Sequence, residues 1–262
     1  MSKVVADWLV NNFLIFVLMF VRILGLMVMA PVFSSRSIPE RVKAGLALVI
    51  TMAIFPVARP ASVVVPTTLT GLTVAVLGET MVGLILGFGA AVIFAGIELA
   101  GELISRQMGT ALAGVLNPMF ETQVPVMSQF YSLFALMIFL GMNGHLKLLT
   151  ILIDTFQRIP LMQFRLTGSM AKGLVGLLQD SYVVAIQVSA PVLVSLLMVT
   201  IALGIIARTV PTMNVLVMGF PLQIGLALVV SVLTLGAVAV FFQGTFQRMF
   251  AQLEALLASG IQ

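Results

Sequence analysis

"MNVLVMGFPLQIGLALVVSVLTLGAVAVFF", residues 213–242, runs for thirty residues without a charge. It shows no alternation of period two, which excludes a strand of a transmembrane barrel. Inside a bilayer the backbone has to satisfy its own hydrogen bonds, and a continuous apolar run does so as an α-helix. At 1.5 Å per residue such a helix measures about 45 Å, against a hydrocarbon core of about 30 Å. Tilt absorbs part of the excess. This stretch therefore makes the fold helical and makes at least one helix longer than a simple span requires.

Five more apolar runs lie near 10–33, 43–59, 71–97, 126–151 and 182–206. Composition agrees: 61% of the residues are hydrophobic and only 8% charged, where a soluble domain has about 25% charged residues. Mean hydropathy is +1.20. The reading is an all-α, integral membrane-type protein of about six hydrophobic segments, forming one domain over 1–262. The N-terminal run from Trp8 to Phe33 is too long for a signal h-region and contains Arg22, so it reads as a retained segment. Outside Arg22, the basic residues divide seven to five between alternate sides. Lys3, Arg59, Lys147, Arg158, Arg165, Lys172 and Arg248 stand against Arg36, Arg41, Lys43, Arg106 and Arg208. The excess lies on the side of both termini, which favours cytoplasmic termini.

Several function classes drop out. With no cysteine and one histidine, His145, the chain has no thiolate site and no histidine cluster. No metalloprotease, nucleophile-elbow or phosphate-loop pattern is present, so no enzyme and no cofactor are expected. Basic residues are scattered and not interleaved with aromatics, which argues against a nucleic-acid partner.

Against this apolar background, "ELAGELISRQMG" (98–109) places Glu98, Glu102 and Arg106 four residues apart, on one face of a helix. Single polar residues also recur inside the runs: Asn11, Asn12, Arg22, Glu79, Gln187 and Gln223. Such residues usually face protein or a water-filled space rather than lipid. Gly83, Gly87, Ala91 and Ala95 form an every-fourth ladder of small side chains that permits close helix approach. Pro191 and Pro221 sit within apolar runs and are expected to kink or break their helices, with Gln223 beside the second. The stretch after Gly109 is broken by Gly114, Pro118 and Pro125.

Five segments, in order along the chain, resemble the FliR family of bacterial export-apparatus proteins. They are "PVFSSRSIPERVKAGLAL" (31–48), "ELAGELISRQMG" (98–109), "NPMFETQVPVMSQFYSL" (117–133), "LGMNGHLKLL" (140–149) and "PTMNVLVMGFPLQIGLAL" (211–228). The resemblance implies a non-enzymatic subunit of the flagellar type III export gate, in the bacterial inner membrane at the flagellar basal body. It implies bent helical hairpins within a multi-subunit gate, formed with FliP-like and FliQ-like subunits and an FlhB-like switch protein. Exported unfolded proteins would pass through, and membrane lipid would surround the base. It further implies that the loop after "QMG" plugs the pore, which here carries onto Gly109, Leu112, Gly114, Val115, Leu116, Pro118, Met119 and Phe120. Glu98, Glu102 and Arg106 would then face neighbouring subunits. Two other readings stay open: the equivalent subunit of a virulence type III secretion system, or a secondary transporter or small channel, which can also use kinked helices with polar groups at mid-depth.

Overall fold

The computed structural model describes residues 2–34, 38–58, 63, 65–66, 68–109, 125–165, 167–209 and 215–259. Among them the regular structure is entirely helical. The helices are α1 (Ser2–Met29), α2 (Glu40–Ala58), α3 (Leu69–Gln107), α4 (Val126–Gly141), α5 (Gly144–Arg158), α6 (Gly168–Thr209) and α7 (Val215–Ser259). Five of them are long and apolar enough to cross a membrane, and the broken pair α4 and α5 makes a sixth candidate span. With 39, 42 and 45 residues, α3, α6 and α7 measure about 58, 63 and 68 Å. They outrun the apolar windows of the sequence: α6 starts fourteen residues before 182, and α7 continues seventeen beyond 242. Both extensions carry charges, Lys172 and Asp180 in one, Arg248 and Glu254 in the other. Hydropathy registers what a lipid chain would accept, and a helix does not stop where that ends.

The chain divides into two compact units. The first comprises residues 1–92, 143–177 and 247–262. Its α1 buries Ile15, Leu18, Met19, Arg22, Ile23, Leu26 and Met27, a stripe with helical spacing that faces the core. Where α1 meets α3, no side chain separates the two backbones. A Cβ added to Gly25 would lie 2.9 Å from the Thr80 carbonyl oxygen. One added to Gly87 would lie 2.8 Å from that of Leu26, and one added to Gly83 would collide with the carbonyl of Arg22. Gly89 receives Leu253 of α7, and Gly173 of α6 receives Leu256. Asn11 holds the segment that follows α2: its amide donates to the Val63 carbonyl and its Oδ1 accepts from the Val65 N–H, both at 2.9 Å.

The second unit comprises residues 93–142 and 178–246. Its core is aromatic. Phe94, Phe139 and Phe246 meet pairwise with ring centroids 5.2–5.5 Å apart, and Phe242 extends the cluster to Phe134. Here α3 touches its neighbours through Gly96, against the Ser181 backbone, and Gly101, against the Ser128 backbone. Ser128 Oγ donates to the Glu98 carbonyl at 2.7 Å.

Both prolines lie within continuous helix. Neither breaks it; each removes one backbone donor. Ser195 Oγ donates back to the Pro191 carbonyl at 2.8 Å, and Gln223 Nε2 reaches Thr200 Oγ1 at 3.3 Å.

Replacing Gly87 with leucine should unseat α1 from α3, because the neighbouring atoms are backbone and Cβ and cannot swing away. Overpacking of this kind costs about 1–3 kcal/mol and often more. The Gly87→Leu chain should unfold at a lower temperature in a membrane mimetic, whereas Gly45→Leu on α2, with nothing within 4 Å of the added Cβ, should unfold at the unmodified chain's temperature.

Candidate functional site: the α3 charge row and the groups around it

The helical face carrying Glu98, Glu102 and Arg106 is the open face of α3. Ile97, Ala100, Ile104 and Met108 are buried on the other side, while Glu98 and Arg106 are exposed and Glu102 is half-buried. Arg106 Nη2 donates to Glu102 Oε1 at 2.5 Å, one turn away. The Glu98 carboxylate has no partner among the described residues. An exposed pair one turn apart adds about 0.3–0.5 kcal/mol, so within the chain this row adds little to stability. Arg106 also sits in the last turn of α3, where a cation complements the helix dipole. The helix closes at Gly109, whose φ of +80° is the left-handed conformation that helix ends reserve for glycine. The Phe220 ring lies directly against Gly109. The other residues assigned to the loop, Leu112, Gly114, Val115, Leu116, Pro118, Met119 and Phe120, lie outside the described residues.

The small-residue ladder divides. Gly83 and Gly87 lie at the α1 crossing, Ala91 is half-buried and Ala95 is exposed. At 3.6 residues per turn each four-residue step advances about 40° around the helix. Three steps therefore carry Ala95 well away from the seam that begins at Gly83, and Gly96 and Gly101 take up the close approaches further along.

The polar residues within the spans separate in the same way. Arg22 and Glu79 are fully buried and paired, Nε to Oε2 at 2.5 Å. Arg22 Nη1 also donates to Thr155 Oγ1 at 3.0 Å, and both Nη atoms reach the Ile159 carbonyl, at 3.1 and 3.2 Å. The guanidinium lies 4.6 Å from the centroid of the Phe156 ring, and the Met162 N–H closes the set by donating to Glu79 Oε1 at 2.8 Å. Sequence reasoning marked Arg22 and Glu79 separately but did not pair them. One lone cation and one lone anion, each in an otherwise uncharged run, was the available signal, since a buried charge needs a counter-charge. Gln187 behaves differently. It is exposed on α6, next to Ile186 and one turn after Val183, which are also exposed.

Large apolar side chains crowd the same open surfaces. On α6, Ile186, Val194, Met198, Ile201 and Ile205 are each more than half exposed; on α7, Val229, Val232, Leu233 and Val240 are too. Among the described residues no group of three or more His, Cys, Asp or Glu could hold a metal ion.

An all-helical chain with spans of this length and outward apolar faces is a membrane-embedded protein. The model of the family described as bacterial export proteins, family 1, matches residues 13–249. The flagellar biosynthetic protein FliR of Escherichia coli (strain K12) is 34% identical over 239 residues, 90% of each chain. FliR of Bacillus subtilis (strain 168) is 32% identical over 254 residues, covering 95% of this chain and 97% of its own. FliR of Aquifex aeolicus (strain VF5) is 26% identical over 260 residues, covering 99% of this chain and 98% of its own. The protein belongs to this FliR family of bacterial export proteins.

Removing one member of the buried pair should be far more damaging than removing one from the exposed row. Arg22→Ala leaves Glu79 buried and uncompensated, a loss of about 3–5 kcal/mol. Arg106→Ala should change the isolated chain by less than about 1 kcal/mol. Thermal unfolding of both variants in one membrane mimetic checks the contrast; equal melting temperatures would contradict it.

Proposed function

We propose that the protein is a structural, non-enzymatic subunit of the flagellar type III export gate in the bacterial inner membrane, at the flagellar basal body. The observation that carries this reading is similarity along nearly the whole chain to flagellar biosynthetic proteins FliR. The similarity also favours the flagellar system over a virulence secretion system. In this reading the whole chain acts as one export-gate domain. FliP-like and FliQ-like subunits complete the channel, an FlhB-like switch protein lies against it, and unfolded export substrates pass through.

The isolated chain supports a place inside an assembly. On α6 the exposed apolar side chains run from Val175 to Ile206, about 46 Å against a hydrocarbon core of about 30 Å, so lipid alone does not cover them. Gln187 and the Glu98 carboxylate stand on open faces, where neighbouring subunits would supply their partners. The row of Glu98, Glu102 and Arg106 then acts between subunits. The loop from Gly109 to Glu121 acts as the plug, with Leu112, Val115, Leu116, Met119 and Phe120 sealing by apolar contact, Pro118 breaking the chain, and Gly109 and Gly114 letting it turn aside.

Co-purification followed by mass spectrometry tests the assembly: FliP-like and FliQ-like subunits should accompany the tagged chain. A chain that purifies alone, monodisperse, and transports a solute in liposomes would instead be a transporter. Arg106→Ala should lower recovery of the complex while sparing the isolated chain; unchanged recovery would remove the row from the interface. Deleting 112–120 should leave assembly intact and make the membrane leaky to ions, measured as conductance. An assembled deletion variant at background conductance would exclude the plug role.

A further inference from the structure

The outward residues of α4 and α5 differ in kind. Every exposed side chain of α4 from Phe130 to Leu140 is apolar: Phe130, Leu133, Met137 and Leu140. Asn143 then breaks the helix with a left-handed backbone, φ +57°, which asparagine tolerates better than most residues. Beyond the break, α5 exposes Leu146, Lys147, Thr150, Gln157 and Arg158. Only the first of these is a large apolar side chain.

The apolar residues of α5 point the other way. Leu148, Ile151, Leu152 and Phe156 are buried, and Lys147, Thr150, Asp154 and Arg158 follow one another at helical spacing on the opposite stripe. "HLKLLTILI" (145–153) carries the hydropathy run on to 151, yet these leucines and isoleucines mostly serve the protein interior. A helix facing lipid would need its outer stripe apolar as well.

The last turns of α7 change in the same sense. Up to Val240 its outward side chains include Val229, Val232 and Leu233. From Gln247 to Ala255 the exposed residues are Gln247, Arg248, Ala251 and Ala255, while Met249, Phe250 and Leu253 are buried. Lys147 Nζ of α5 meets Glu254 Oε1 of α7 at 2.7 Å, with the two side chains still 47% and 39% exposed. Asp154 and Arg158 stand one turn apart on α5, and among the described residues neither has an ion-pair partner. Charges this open are not set against hydrocarbon; they face protein or water.

We propose that α5 and the α7 turns from Gln247 to Ala255 lie outside the hydrocarbon and present one continuous surface to water, so that α5 belongs to no membrane span. The Lys147–Glu254 pair makes the surface continuous, because it joins the two helices side by side. Water solvates the half-open pair and the two unpaired charges without any further partner. The candidate sixth span therefore stops with α4.

The test uses the full chain with whichever subunits co-purify, in right-side-out and in inverted membrane vesicles. The chain has no cysteine, so an introduced one is its sole thiol. Thr150→Cys and Gln157→Cys on α5 and Ala251→Cys on α7 are compared with Leu133→Cys on α4 and Val232→Cys on α7. A charged, membrane-impermeant maleimide is applied, and the label on the purified chain is read by mass spectrometry. The first three should react at least about tenfold faster than the last two, since apolar surroundings raise a thiol's pKa and each unit removes about nine-tenths of the thiolate. All three should react in vesicles of the same orientation. Rates no faster than those of Leu133→Cys and Val232→Cys would overturn the proposal, and so would labelling of the α5 and α7 positions from opposite sides. Nitroxides on the same cysteines give a reading independent of thiol chemistry. A water-soluble nickel chelate should relax those at 150, 157 and 251 more than oxygen does, and the order should reverse at 133. A stronger effect of oxygen at 150 and 157 would place α5 in lipid. A weak effect of both would assign the face to a protein neighbour. Either result would overturn the proposal.

Discussion

The first unit is organised around one ion pair. Arg22 of α1 is buried among Glu79 of α3, Thr155 of α5 and the carbonyl of Ile159 just after it. Burying two charges in an apolar setting is unfavourable unless nearly every donor and acceptor is used. Here the guanidinium spends its hydrogens on three residues and lies over Phe156, while the carboxylate takes a second bond from the Met162 backbone. Such a network has one good geometry. It fixes the rotation of α1 against α3, since turning either helix by one residue would separate Arg22 from Glu79. The glycine seam of Gly25, Gly83 and Gly87 then falls at the crossing and lets the backbones close. Charge sets the register and glycine sets the distance.

The second unit is held differently. Its aromatic cluster is apolar and largely non-directional, supplemented by glycine contacts at Gly96 and Gly101. Aromatic pairs contribute about 0.5–1.5 kcal/mol each beyond the area they bury, but they accept small rotations that a charge network does not. Register in the first unit is therefore the more narrowly specified of the two. Apolar side chains left open on α6 and α7 belong to helices whose length, not composition, sets them apart from ordinary spans.

The helical class and the approximate places of the spans were legible in the sequence because bilayer thermodynamics writes them as long uncharged runs. The ends were not. Residues 168–181 and 243–259 are helical although charges interrupt them, and nothing in a hydropathy profile separates a helix that leaves lipid from a loop. The i, i+4 pair of Glu102 and Arg106 was legible because its spacing is local. Arg22 and Glu79 stand 57 residues apart, so each was visible as an anomaly while their meeting depended on how α1 and α3 pack. The fixed four-residue ladder could not anticipate Gly96 and Gly101, because those glycines lie against Ser181 of α6 and Ser128 of α4 and not against α1. Met162 had no sequence signal at all: its backbone is left-handed, φ +65°, and its N–H donates to a carboxylate 83 residues away.

The length of α7 also bears on how the protein is made. A helix of about 68 Å, even tilted by 40°, spans about 52 Å along the bilayer normal. Membrane insertion can therefore shelter only part of it. Among the described residues its exposed valines and leucines run from Leu222 to Val240, about 27 Å, and lipid can cover them. Beyond them Gln243, Gln247 and Arg248 are exposed, while Leu253 and Leu256 are buried against Gly89 and Gly173. A newly synthesised copy thus completes this one helix in two different ways: insertion covers its first half, and only the folding of α3 and α6 onto it covers the last turns.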